Sequence, residues 1–193
     1  MDDPSSIQPE ALTVKITPSR SVLLVVDIQG ALLPAIDGGD DVLANTLWLM
    51  DIAALLGVPA LATEHCPQRI GLSEPRLRSR LAEDRIVEKT WFSAVAEGNL
   101  LQAPSAERQQ WIVTGMESHV CVQQTVLDLL AAKREVFVVD EAVGSRRPRD
   151  KELALLRMRQ NGAEIVSREM VAFEWLENAD SPAFREILKG FIR

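Results

Sequence analysis

The feature of this chain that most constrains its fold is a short aliphatic run that ends at a carboxylate, SVLLVVD at residues 21–27. A run without polar alternation is typical of a strand buried on both faces, as in a parallel sheet covered by helices. Comparable runs predict five further strands, at residues 58–63, 85–88, 111–115, 135–140 and 163–167. Helical patterns occupy residues 40–56, 118–133, 147–160, 169–177 and 182–191, the first with Asp40 or Asp41 as its N-cap. This alternation predicts an α/β protein in three layers, with a parallel six-stranded sheet between helices.

Length and composition indicate one globular domain. The chain has 193 residues, of which 47% are hydrophobic and 25% are charged, the usual balance of a globular protein. Residues 1–18 are polar and contain three prolines. We therefore expect a partly mobile N-terminal arm at residues 1–18, followed by a single domain at residues 19–193.

Charge and cysteine content argue against several partners and locations. The net charge of −7 disfavours nucleic-acid binding, because a phosphate backbone requires a basic surface. No apolar run is long enough to span a bilayer, and the first ten residues lack the basic and apolar regions of a secretory signal. Two cysteines do not form a disulfide framework in a chain of this length. We expect a cytoplasmic protein with free thiols that acts on a small molecule and binds no membrane.

Three reactive side chains follow predicted strands. Asp27 ends the first strand, Lys89 follows the third, and Cys121 lies just beyond the fourth, in the first turn of a helix. Ligands of open parallel sheets bind outside the carboxyl ends of the strands, so these side chains are expected to meet at one rim. Together they supply a base, a cation and a nucleophile, which is the set that an activated thiol needs.

Each of the three residues also has a purely structural interpretation. Asp27 can be a turn residue after a strand, and Lys89 can face solvent. Cys121 can pack as a small buried hydrophobe. In the catalytic interpretation, the helix N-terminus and a nearby cation lower the thiol pKa of Cys121 below its free value of about 8.5.

Other polar and aromatic residues are expected to line the same crevice as substrate contacts: Gln29, His65, Trp91, Phe92 and His119. Core packing explains the two aromatic residues equally well. His119 is only two residues from Cys121, which makes alignment for proton transfer difficult. Two histidines without a closely spaced carboxylate set form a poor metal site, with Glu64 and His65 as the nearest pair. We expect neither a metal nor a cofactor.

Five sequence blocks, taken together, resemble the isochorismatase-like cysteine hydrolases. They are LLVVDIQ at residues 23–29, TEHCPQRIG at 63–71, VEKTWFSA at 87–94, TGMESHVCV at 114–122 and VVDEAVGS at 138–145. The resemblance covers residues 21–167, most of the chain, and the cysteine block is its most specific part. It implies a sheet of strand order 3-2-1-4-5-6 and a catalytic triad at Asp27, Lys89 and Cys121.

The resemblance also implies details that the residues alone do not. One is a cis peptide bond between Met116 and Glu117, with the backbone amides of Glu117 and Cys121 forming an oxyanion hole. Another is assembly into a homo-oligomer, a dimer or larger. The chain departs from the nicotinamidase-type members, which bind a metal after the second strand, because TEHCP at residues 63–67 lacks their ligand set. It departs from true isochorismatases, which lack the cysteine.

The resulting hypothesis is a hydrolase that cleaves a C–N bond, in an amide or related compound, through a thioester-type intermediate on Cys121. Asp27 would act as the base and Lys89 would stabilise charge. Two alternatives stay open at this point. One is a non-covalent hydrolase in which Asp27 activates water or protonates an ether. The other is a catalytically silent binding protein of the same fold.

Overall fold

The computed structural model describes residues 15–192, and these form a six-stranded sheet with helices on both faces. The strands are β1 (Ser21–Val26), β2 (Ala60–His65), β3 (Ile86–Lys89), β4 (Gln110–Met116), β5 (Glu135–Gly144) and β6 (Glu164–Val166). All pairings are parallel and the spatial order is β3-β2-β1-β4-β5-β6. The predicted fold class and strand order are confirmed.

The helices divide between the two faces of the sheet. They are α1 (Gly39–Leu55), α2 (Pro67–Ile70), α3 (Pro75–Arg78), α4 (Gln123–Ala131), α5 (Pro148–Gln160), α6 (Arg168–Leu176) and α7 (Phe184–Ile187). Side chains of α1, α6 and α7 share one hydrophobic cluster, and side chains of α4 and α5 share the other. Strand β1 contributes Leu23 to the first cluster and Val22 and Leu24 to the second. The aliphatic run is therefore buried on both faces because it is the central strand between two cores.

The strands and helices depart from the sequence boundaries in several places. Strand β2 lies two residues later than predicted, and β5 continues four residues further, to Gly144. Helix α1 begins after Gly38, which has a φ of 63°, so Asp40 and Asp41 lie in the first turn and neither is the N-cap. The long helix predicted for residues 118–133 is a π-helical turn, Ser118–Val122, followed by α4. The last helix is likewise divided into α7 and a π-helical turn, Leu188–Ile192.

Most of the predicted N-terminal arm, residues 1–14, lies outside the described residues. The part that is described packs on the domain: Ile16 is buried, and its backbone N–H donates to the Glu174 carboxylate at 2.6 Å. The boundary between arm and domain at residue 18 stays a prediction. Between residues 15 and 192, no helix combines the length and the apolar character required to cross a membrane.

Gly115 allows the two central strands to approach closely at their carboxyl ends. It has a φ of +125°, and a Cβ atom at this position would lie 2.1 Å from the carbonyl oxygen of Val26. Only glycine fits both constraints without displacing the backbone. This contact fixes the ends of β1 and β4, directly before Asp27 on one strand and Met116 on the other.

Candidate active site

Asp27 is held by side chains from two neighbouring strands. It follows β1 with a positive φ of 51°, a conformation that aspartate tolerates better than most residues, and it is fully buried. Its Oδ1 accepts a hydrogen bond from the Thr63 hydroxyl at 2.6 Å, and its Oδ2 accepts one from Lys89 Nζ at 2.7 Å. Both carboxylate oxygens therefore have a strong donor, as a buried charge requires.

Lys89 is the last residue of β3 and its side chain is only 1% exposed. The register places it beside His65 on β2, and β2 separates it from β1, which Asp27 follows. Its ammonium also donates to the Trp91 carbonyl at 3.2 Å and lies 3.5 Å from His65 Nδ1. The alternative interpretation, a solvent-facing lysine, is wrong, because the buried carboxylate attracts the ammonium away from water.

Cys121 completes the group. It lies in the π-helical turn after β4 and is 7% exposed. One ligand atom each of Asp27, His65 and Cys121 lies within 4.8 Å of the others. The structure thus brings together side chains from the carboxyl ends of β1, β3 and β4, at the point where the strand order reverses.

The acidity expected for the Cys121 thiol is not found. Burial raises the pKa of Cys121 well above its ordinary value, and the negative charge of Asp27 raises it further. The Lys89 ammonium lowers the pKa, but not enough to compensate. The sequence indicated a helix N-terminus and a cation near the thiol, but it gave no measure of burial. Burial has the largest effect on the thiol pKa. The side chain of Cys121 is therefore a neutral thiol at neutral pH.

Gln29 contacts the backbone at the end of β2 and just beyond it. Its amide group donates to the carbonyls of His65 and Gly71, and its Oε1 accepts from the His65 N–H at 2.9 Å. The side chain is fully buried. These bonds hold His65 at both its backbone groups, so the observed role of Gln29 is to position that residue.

The aromatic residues after Lys89 lie at the protein surface. Trp91 is 61% exposed and Phe92 is 51% exposed, so the core-packing interpretation is wrong for both. The Phe92 ring stacks on the His65 ring, with centroids 5.4 Å apart and an interplanar angle of 28°. Both aromatic rings are available to a ligand.

The loops beyond β4 and β5 supply a second group of polar residues. The Met116–Glu117 peptide bond is cis, as the resemblance implies. The Glu117 carboxylate pairs with Arg146 at 2.8 Å, and His119 Nδ1 lies 3.0 Å from the Ser145 hydroxyl. Glu64, by contrast, is buried and pairs with Arg78 at 2.6 Å, so it does not join His65 as a metal ligand.

Sequence reasoning missed three of these partners. Thr63 binds Asp27, Ser145 binds His119, and Arg146 binds Glu117. Thr63 gave one signal, since it is a polar residue at the end of the aliphatic run of β2. Arg146 lies in a short basic cluster with Arg147 and Arg149, and such a cluster by itself is typical of an ordinary solvated loop.

One known protein family matches most of the chain. The sequence profile of the isochorismatase domain matches residues 21–170, which include Asp27, Lys89 and Cys121. This chain belongs to the isochorismatase family. Its fold is that of an isochorismatase-family hydrolase, as the strand order indicates.

Relatives of this isochorismatase-family chain cover nearly its whole length. Isochorismatase domain-containing protein 2A of Mus musculus is 33% identical over 175 residues, which are 91% of this chain and 84% of the mouse protein. MAR1 ribonuclease of Caenorhabditis elegans is 33% identical, with a TM-score of 0.83 and 93% of each chain covered. YcaC of Pseudomonas aeruginosa, solved with hexane-2,5-diol and covalent acrylamide, is 26% identical, with a TM-score of 0.85 and 92% and 91% coverage.

Proposed function

We propose that this protein is a cysteine hydrolase that cleaves the C–N bond of a small amide or related compound through a covalent intermediate on Cys121. The observation that carries the proposal is the buried ion pair of Asp27 and Lys89, 2.7 Å apart, at the sulfur of Cys121. The Asp27 carboxylate is buried and each of its oxygens accepts a hydrogen bond. It lies beside the neutral thiol of Cys121, so it can act as a general base that removes the thiol proton.

The first half of the reaction forms a thioester. Asp27 takes the thiol proton of Cys121 while the sulfur attacks the substrate carbonyl carbon, and the C=O electron pair moves to oxygen. Lys89 keeps a positive charge beside the sulfur throughout this step. The intermediate then collapses, the C–N bond breaks, and the leaving nitrogen takes the proton from Asp27.

The second half releases the product. Water gives a proton to Asp27 and attacks the thioester carbon, and the sulfur leaves as product forms. Cys121 then recovers the proton from Asp27, so the enzyme returns to its initial state. Each proton transfer of this kind contributes roughly 10²–10⁴ in rate.

The raised pKa of the thiol fits this order of events. A thiol that is neutral at rest must lose its proton as the attack occurs, which requires a base in contact with it. The backbone amides of Glu117 and Cys121 are the proposed oxyanion donors, and loss of one such donor costs about 10²–10³ in kcat. His65, Trp91, Phe92 and His119 are the proposed substrate contacts, with Gln29 acting through His65.

Relatives lend the proposal chemical support. The YcaC structure contains covalent acrylamide, a compound that is both an electrophile and an amide. A protein related to it over most of its length can therefore be expected to present a nucleophile to such compounds. Cys121 is the buried thiol of this chain, and Cys66 is the other cysteine.

The test is a screen of amides, carbamates and imides, followed by kinetics of single and combined variants. We expect Cys121→Ala, Asp27→Asn and Lys89→Met each to lower kcat/KM by about 10³ or more, with little further loss when they are combined. Cys66→Ala is the matched control and should retain activity. Full activity of Cys121→Ala would rule out Cys121 as the nucleophile and favour the non-covalent alternative. Inactivity of the wild type on the whole panel would favour the silent binding protein.

A ribonuclease activity is the competing proposal, because a relative of 33% identity bears that name. The net charge of −7 disfavours it, since RNA binding gains most of its affinity from phosphate contacts with basic residues. Incubation of the purified protein with single-stranded RNA, beside Asp27→Asn, decides the matter. Cleavage by the wild type alone would support the ribonuclease.

Homo-oligomer formation and cytoplasmic location stay predictions. Two apolar side chains on α5 offer a contact surface: Leu153 is 46% exposed and Leu156 is 51% exposed. Light scattering of the purified protein measures the assembly directly. A dimer or larger species is expected, and a monomer would contradict the prediction.

A further inference from the structure

We propose that Asp27, His65 and Cys121 form an inhibitory site for a divalent metal ion of the zinc class, which binds in place of the Lys89 ammonium. Metal binding itself is independent of the proposed function, whereas inhibition of turnover rests on it. The residues were not expected to bind metal, because the three ligands come from three distant parts of the sequence. The folded chain brings a carboxylate, an imidazole and a thiol to one point.

The donor set matches the chemistry of zinc. Carboxylate oxygen, imidazole nitrogen and thiolate sulfur are its usual protein ligands, at about 2.0–2.3 Å from the metal. In a tetrahedral site, such donors lie about 3.5 Å apart. The ligand atoms of Asp27, His65 and Cys121 already lie within 4.8 Å of one another, so closing the site requires side-chain movements of roughly 1 Å.

Two of the ligands are held in place by other residues. Thr63 binds Oδ1 of Asp27, which leaves Oδ2 as the ligand atom. Gln29 holds the backbone of His65, and the Phe92 ring stacks on its imidazole. Partners of this kind orient metal ligands and raise metal affinity.

Lys89 occupies the position that a metal ion would need. Its Nζ is 2.7 Å from Asp27 Oδ2 and 3.5 Å from His65 Nδ1, so the ammonium already contacts two of the three ligands. A divalent ion at the same point would repel that ammonium strongly in a buried site. Binding therefore requires the Lys89 ammonium to move away from the ligands. The lysine is thus a resident cation that protects the cluster from metal.

The charges and protons balance as follows. Cys121 coordinates as a thiolate and releases its proton to solvent, because a metal-bound thiol is deprotonated. Asp27 is already a carboxylate in the ion pair, and a neutral His65 donates a lone pair. No electron is transferred, so a redox-inactive metal is sufficient. The sulfur and the carboxylate are then both engaged, and neither can act on a substrate.

The experiment is a titration of the full-length protein with Co²⁺, with Zn²⁺ as the competitor and a non-thiol reductant in the buffer. Coordination of Co²⁺ by a thiolate gives a sulfur-to-metal charge-transfer band, which reports on the site without any substrate. We expect one Co²⁺ per chain, and we expect Zn²⁺ to abolish the band. Zn²⁺ should also inhibit turnover, with a chelator restoring it.

The chain offers a matched control for two of the ligands, because it contains two cysteines and two histidines. Cys121→Ser should abolish the band, and Cys66→Ser should leave it unchanged. His65→Ala should weaken Co²⁺ binding by roughly tenfold or more, the scale on which even indirect partners of a metal act. His119→Ala should bind Co²⁺ as the wild type does. Circular dichroism confirms that each variant is folded.

Lys89→Met provides the most specific result. It loses the resident ammonium while keeping all three ligands, so we expect Co²⁺ to bind at least about tenfold more tightly than to the wild type. Lys89→Gln serves as the second variant if the methionine variant does not fold. Weaker or unchanged binding in a folded Lys89 variant would overturn the proposal. So would a wild type without the band, or a band that survives Cys121→Ser.

The proposed function and the proposed metal site can be refuted independently of each other. If Cys121→Ala proves fully active while Co²⁺ still binds with the expected pattern, the proposed function is wrong and the metal site stands. If the catalytic variants behave as expected but no variant binds Co²⁺, the proposed function stands and the metal site is wrong.

Discussion

The buried ion pair can be tested by Lys89→Met. The change removes the partner of a carboxylate that is fully buried and 2.7 Å from the lysine nitrogen, and it leaves the carboxylate without compensation for its lost hydration. Breaking a buried pair from one side costs about 3–5 kcal/mol. We therefore expect the free energy of unfolding at neutral pH to fall by about this amount, with a fall in Tm of about 10 °C for a chain of this size.

The assay is urea unfolding of the wild type, Lys89→Met and Asp27→Asn/Lys89→Met. The double variant has no charge to bury, so it should recover most of the loss and come within about 1–2 kcal/mol of the wild type. Lys189→Met, at an exposed position, is the matched control and should change stability by less than about 0.5 kcal/mol. A single variant as stable as the wild type, or a double variant with additive losses, would refute the reasoning.

Three further predictions concern the Cys121 thiol and the residues that hold the site in place. The rate of Cys121 alkylation should rise about tenfold per pH unit between pH 7 and 9, because the thiol pKa is raised; a plateau below pH 8 would contradict this. Gly115→Ala should lower stability by about 3 kcal/mol or more or prevent folding, because its Cβ would lie 2.1 Å from the Val26 carbonyl. Gln29→Leu should cost about 2 kcal/mol in urea unfolding, because it leaves the backbone groups of His65 unpaired.

The sequence predicted the sheet because its strands are short, aliphatic and flanked by helical segments. It predicted the meeting of Asp27, Lys89 and Cys121 because the carboxyl ends of parallel strands share one edge. The exact strand order came from the resemblance to a family, since several orders satisfy the same alternation. The π-helical turn at Ser118–Val122 was not predictable, because its first residues fit an ordinary helix equally well.

The chemistry of the site was less predictable than its location. The thiol pKa of Cys121 depends on how much water reaches the sulfur, and packing from several elements determines this. The role of Gln29 could not be predicted either, because its bonds to His65 depend on how the loop after β2 folds back. The cluster of Asp27, His65 and Cys121 combines side chains from the carboxyl ends of three strands. These residues are far apart in the sequence, so no short sequence motif indicates the cluster.

The central claim is that the sulfur of Cys121 forms a covalent bond with the substrate. Rapid acid quenching during turnover, followed by peptide mass mapping, measures this directly. We expect the mass of the acyl group on the peptide that contains Cys121, and none on the peptide that contains Cys66. Turnover without any adduct on Cys121, or undiminished turnover by Cys121→Ala, would contradict the account.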